Sequence, residues 1–140
     1  MMDSNKFEYF DVTADIGIRA WGNTINELFE NAAIAVTSLI IDPNNIEKKI
    51  QKDIQVHGND LSSLLINWIT ELLILRDSEG ILFSSFKVEI SKDKKSLRVK
   101  ALGNNAFSVK FEMDIKAITY SLFELEKKNG GYYLQFVLDI

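Results

Sequence analysis

Apolar residues recur along this chain in two rhythms, and the change between them marks its organisation. Ile25, Leu28, Phe29, Ala32, Ala33, Val36 and Leu39 return at intervals of three and four, the spacing of one helical face. Thr24 and Glu27 form a capping-box pair ahead of that run, and Asp42-Pro43-Asn44-Asn45 should stop it near Ile41, because the residue before proline avoids the helical region. A second helix is predicted from Leu61, Leu64, Leu65, Trp68, Ile69, Leu72 and Leu75, capped by Asn59 or Asp60 and ended by Asp77-Ser78-Glu79-Gly80. Between the helices, residues 46–56 alternate loosely and read as a half-buried strand. Before them, 7–10 and 13–21 read as two short strands or one bent one, closed by Gly22-Asn23. From Ile81 onward the period is two, with strands predicted over 81–90, 97–102, 107–113, 115–125 and 132–138. Lys92-Asp93-Lys94-Lys95, Gly103-Asn104-Asn105 and Asn129-Gly130-Gly131 punctuate that run. The plan is α+β, with two helices packed on antiparallel or mixed β-sheet in one domain over 1–140.

Composition narrows the function classes. With 46% hydrophobic and 26% charged residues the chain is globular in type, and it has no cysteine. That removes disulfides, thiolate metal ligation and cysteine nucleophiles. The N-terminal residues are polar and lack the apolar core of a signal peptide. The most apolar run, 64–75, is interrupted by Asn67, Thr70 and Glu71 and is too short to span a bilayer. A cytoplasmic protein without a membrane segment is the expectation. A net charge of −4 argues against stable direct binding of nucleic acid and favours a protein partner or a cation. The basic residues within 87–100 read either as a solvated hairpin or as an electrostatic docking patch.

The segment Asp11-Val12-Thr13-Ala14-Asp15-Ile16-Gly17 carries the first functional clue. A continuous extended backbone would aim Asp11, Thr13 and Asp15 at one face, although short acids are poor strand formers. Asp15 alone could serve a turn before Gly17. Asp139 and the Ile140 carboxylate could equally be a frayed end. If the strands that carry them are neighbours, however, Asp15, Asp139 and Ile140 form an all-oxygen site suited to calcium, magnesium or manganese. Lys116 alternates with Ile118 and Tyr120, so it is either an edge lysine or one that reaches an acidic site. His57 stands alone and suits a loop or cap. Ser84-Ser85 has no nucleophile elbow around it, and no phosphate loop or dinucleotide fingerprint occurs.

Thr13-Ala14-Asp15-Ile16-Gly17-Ile18-Arg19-Ala20, Glu27-Leu28-Phe29-Glu30-Asn31-Ala32-Ala33, Asp60-Leu61 with Trp68 and Glu71-Leu72-Leu73, Lys116-Ala117-Ile118-Thr119-Tyr120 and Asp139-Ile140 follow in order over nearly the whole chain. In this the chain resembles the archease family. The resemblance implies a small cytosolic α+β protein that assists the RtcB-type tRNA-splicing ligase. It would promote that ligase's guanylylation and multiple turnover and would not seal RNA itself. It also implies a metal site, commonly for calcium, at Asp15, Asp139 and the C-terminal Ile140, with Lys116 linked to activity. Two positions depart from the family pattern: Val12 and Ser121 stand where histidines are usual, and the two could be neighbours lost together. The rival readings are a general chaperone-like modulator of RNA-modifying enzymes and a metal-dependent hydrolase, the latter lacking an obvious general base.

Overall fold

The computed structural model describes residues 6–106 and 109–140. The elements run β1 (Phe7–Val12), β2 (Asp15–Gly22), α1 (Ile25–Ile40), a 3-10 turn (Pro43–Asn45), β3 (Ile50–His57), α2 (Leu61–Glu79), β4 (Ile81–Ile90), β5 (Ser96–Asn105), β6 (Ala117–Lys128) and β7 (Gly131–Asp139). The strands form two antiparallel sheets, ordered β1-β2-β7-β6 and β3-β5-β4. This is the α+β plan that the two rhythms predict, with the sheet divided in two.

Local chemistry sets the helix ends. Thr24 Oγ1 accepts from the Glu27 amide at 3.1 Å, while the Glu27 carboxylate reaches the Asn23 amide, one residue further back than a standard capping box. Asp60 caps α2 through the Ser63 amide at 2.8 Å, and Ser63 Oγ accepts in return from Asp60. Those bonds hold the Asp60 carboxyl below the usual carboxylate range. Gly80 ends α2 at φ 65, the left-handed conformation that a glycine adopts without steric penalty.

One contiguous core lies between the helices and the sheets. Trp68 is fully buried and donates its indole N–H to the Phe29 carbonyl, tying α2 to α1. Helix α1 also packs along β4, where Asn26 and Glu30 accept from the amides of Ile90 and Val88. These side chains satisfy edge groups of β4 that would otherwise be open to another strand. Leu134, Phe136 and Leu138 turn one face of β7 to the core. The other face carries Tyr133, Gln135, Val137 and Asp139.

Several strand boundaries differ from expectation, among them that of β6, expected over 115–125 and found over Ala117–Lys128, so that Lys116 stands just before the strand. Residues 46–49 are irregular and β3 begins at Ile50, because Ile46 is drawn into the core beside the 3-10 turn. Strand β5 runs on through Gly103 to Asn105 without breaking there. The glycine permits close backbone contact: a Cβ at Gly103 would run into the Leu82 carbonyl of β4. Of the strand predicted over 107–113, residues 107 and 108 lie outside the described residues. The described remainder, 109–113, is not a strand; Glu112 donates its amide to the Ile40 carbonyl at the end of α1.

Candidate functional site

The acidic segment is a hairpin and not one strand. Val12 pairs with Asp15 across Thr13-Ala14, where Ala14 takes φ 64, and Asp11 pairs with Ile16. Cross-strand partners share a face, so Asp11 and Asp15 point to opposite sides, and Thr13 belongs to the turn. The expected alignment of Asp11, Thr13 and Asp15 on one face is therefore wrong. The turn intervenes, and Asp15 alone of the three enters the next pairing.

That pairing brings the distant parts of the chain together. Asp15 stands directly opposite Asp139, and on the far side of β7 Asp139 stands opposite Ala117. Val12, Asp15, Asp139 and Ala117 thus form one transverse row on the sheet face turned away from the core. Directly opposed residues of an antiparallel pair have Cβ atoms about 4.5–5.5 Å apart, so two carboxylates share one small volume. Asp139 also accepts the Lys116 amide at its main-chain carbonyl, at 2.8 Å, which fixes the lysine at the same end of the sheet. Ile140 packs its side chain against the core, holding its main chain beside Asp139. Lys116 is exposed, as is Asp139, whereas Asp15 is half-buried. The segment before Lys116 is clamped by Arg76, whose buried guanidinium donates through Nη2 to the Ile115 carbonyl at 2.8 Å.

The donors suit a hard cation, since the paired carboxylates of Asp15 and Asp139 supply only oxygen. Like charges set directly opposite destabilise a sheet, and an ion between them reverses the sign of that interaction. Among the described residues no group of three or more His, Cys, Asp or Glu side chains is placed to hold a metal. Asp15 and Asp139 are two such side chains, one fewer than that count requires.

Other candidates lie elsewhere. Val12 is on β1 and Ser121 on β6, the two outer strands of a four-stranded sheet. Three strand spacings separate them, about 14 Å, so they do not form one pair. His57 ends β3, and its carbonyl accepts from the Asn67 amide group. Ser84 is tied to the Ile46 carbonyl. The basic residues of 87–100 lie on the β4–β5 hairpin, interleaved with Glu89 and faced by Asp53 of β3. A hollow of about 580 Å³ lined by Lys6, Trp21, Glu27, Lys128 and Tyr132 sits at the other end of the same sheet. Tyr132 is seven positions from Asp139, about 23 Å along the strand, so the hollow is no part of the acidic row.

Sequence reading missed a polar network on the outer sheet face. Arg19 lies 4.1 Å over the Phe10 ring, bonds Glu8 at 3.1 Å, and donates to Gln135 Oε1 at 3.0 Å. Gln135, only 8% exposed, donates in turn to the Leu122 carbonyl and to Glu124. A signal was present: the apolar phase slips by one position between Leu122 and Phe123.

The family model described as the archease protein family (MTH1598/TM1083) matches residues 7–140. The chain belongs to the archease family. The archease of Sulfurisphaera tokodaii is 44% identical over 137 residues, covering 96% of this chain and 99% of that protein. The archease of Pyrococcus furiosus is 44% identical over 140 residues, with 96% and 99% covered. Among solved structures, protein 1598 of Methanobacterium thermoautotrophicum superposes with a TM-score of 0.83 at 35% identity, over 96% of this chain and 99% of that one. A Thermotoga maritima archease, described as a possible chaperone, gives a TM-score of 0.67 at 21% identity, over 95% and 96%. The last of these bears on the fold alone. Among the described residues no helix is long and apolar enough to cross a membrane.

Proposed function

We propose that this archease is a cytoplasmic accessory factor of an RtcB-type tRNA-splicing ligase. It promotes guanylylation and multiple turnover of the ligase during exon joining, and is not itself an enzyme. The observation that carries this reading is the register Asp15–Asp139–Ala117, with Lys116 tied by its amide to Asp139, in a chain of this family.

Asp15, Asp139 and Ile140 would hold calcium, or another hard divalent ion such as magnesium or manganese. The ion would supply a concentrated positive charge at an otherwise acidic tip. The protein's own residues do the rest. The β2–β7 ladder fixes the two aspartates, Arg76 and the Asp139 carbonyl fix the main chain at Lys116, and the exposed ammonium is left to reach a partner. The chain's excess of acids favours contact with a cationic surface on a protein partner over contact with RNA. With Val12 and Ser121 in place of imidazoles, the carboxylates and Lys116 carry the activity without a histidine proton carrier.

Guanylylation and multiple-turnover ligation by the partner ligase, assayed with wild type, Asp15→Ala and Asp139→Ala, test this directly. Stimulation by the wild type alone is expected. Equal stimulation by all three proteins would contradict the role of the acidic row.

A further inference from the structure

Strand β6 leaves its ladder just beyond the acidic row. Thr119 pairs with Val137 and Glu124 with Gln135, so Tyr120, Ser121, Leu122 and Phe123 stand opposite the single residue Phe136. The excursion is held in place. Leu122 sits at φ 55, an unfavourable conformation for a bulky residue, and its carbonyl accepts from Gln135 Nε2 at 2.9 Å. The Ser121 amide donates to Thr119 Oγ1, and the Tyr120 ring packs on Phe123 with centroids 5.7 Å apart. Strain kept by an over-determined surrounding is a mark of functional segments.

The side chains so displayed are apolar: Tyr120 is 60% exposed and Leu122 is 56% exposed. A bulge protects a sheet edge, as charges and prolines do, but that protection calls for no exposed apolar side chain. Exposing a tyrosine and a leucine works against such protection. Both lie opposite Phe136, three positions and about 10 Å along β7 from Asp139, with Glu124 on the other flank.

We infer that the Tyr120–Phe123 bulge is the anchor by which this protein docks on a protein partner with an apolar socket beside a cationic site. Charge complementarity selects that occupant. A symmetric pairing of two copies over this patch would bring the acidic rows toward each other, and the bulge denies a second copy the ladder groups it would need for strand addition. An anionic membrane surface would repel the same carboxylates.

This rests on the proposed function, with the ligase as the partner. The test is equilibrium binding of the purified RtcB-type ligase by wild type, Leu122→Asn, Tyr120→Ser and, as an exposed apolar control on α2, Ile74→Ser. Asparagine accepts the left-handed conformation, so Leu122→Asn removes the side chain without straining the backbone. Leu122→Asn and Tyr120→Ser should each weaken binding about tenfold or more with an unchanged melting temperature, and Ile74→Ser should bind as wild type does. If wild type and both bulge variants bind alike, the anchor is refuted while the accessory role stands. If wild type does not bind the ligase, the accessory role falls and the assigned occupant falls with it. Self-association or binding to anionic vesicles that depends on Leu122, in place of ligase binding, would also overturn the inference.

Discussion

The two sheets are built from similar strands but follow different rules. In β3-β5-β4 the pairing is continuous apart from a shift of one residue between Phe83 and Ser85, and the exposed positions carry polar or charged residues. The β4 edge is closed by Asn26 and Glu30 of α1. In β1-β2-β7-β6 two aspartates oppose each other, four residues bulge against one, and a tyrosine and a leucine stand in solvent. The first sheet obeys the rules for a stable sheet, and the second departs from them between the Asp15–Asp139 row and the middle of β7. Such departures lower stability locally, so where they cluster they mark the part of the fold shaped by contact with something else.

Changes in the first sheet should therefore act on stability alone. The largest expected effect is that of Gly103→Val, whose side chain would collide with the β4 backbone. It should cost about 3 kcal/mol or more, read as a lower urea midpoint, with the remaining folded protein still able to stimulate the ligase. Arg76→Met lies at the boundary between the two behaviours. Leaving the buried Ile115 carbonyl without its donor should cost about 1–3 kcal/mol, and freeing the main chain before Lys116 should reduce stimulation as well. Urea unfolding and ligation turnover on the same preparation separate the two effects.

A smaller effect is expected on the β1 side. Burial raises the Tyr9 hydroxyl to about 12, opposed in part by Ser38, and the hydroxyl donates to the Ala35 carbonyl. A group whose folded value lies above its unfolded value adds stability below the latter. The Tyr9 contribution should thus be complete below about pH 10 and fade as pH rises toward about 12. Thermal unfolding at alkaline pH should show that decline in the wild type and a shallower one in Tyr9→Phe.

The helices were legible in the sequence because their faces and caps are local: seven apolar positions and Thr24 suffice for α1. Most later strands were legible from their alternation. Three features were not. The Thr13-Ala14 turn has no glycine, so the sequence leaves two strands and one bent strand both open and does not place the turn between Asp11 and Asp15. Gly103 reads as a breaker until the close approach of β4 is seen. The bulge depends on Gln135, thirteen residues from Leu122, and alternation alone gives only a phase slip there. The candidate site was half legible. Residue chemistry and family resemblance singled out Asp15, Asp139, Ile140 and Lys116, but their juxtaposition is a property of strand order, which no local pattern states.

Calorimetric titration of calcium into the metal-free wild type, Asp15→Asn and Asp139→Asn addresses the acidic row most directly. One ion per chain is expected for the wild type, with at least about tenfold weaker binding in each variant, the loss of one charged oxygen ligand being worth more than about 1.4 kcal/mol. In metal-free buffer both variants should be as stable as the wild type or more so, since a like-charge pair has been removed. Equal calcium affinity in all three proteins, or none in any, would contradict a cation held between β2 and β7.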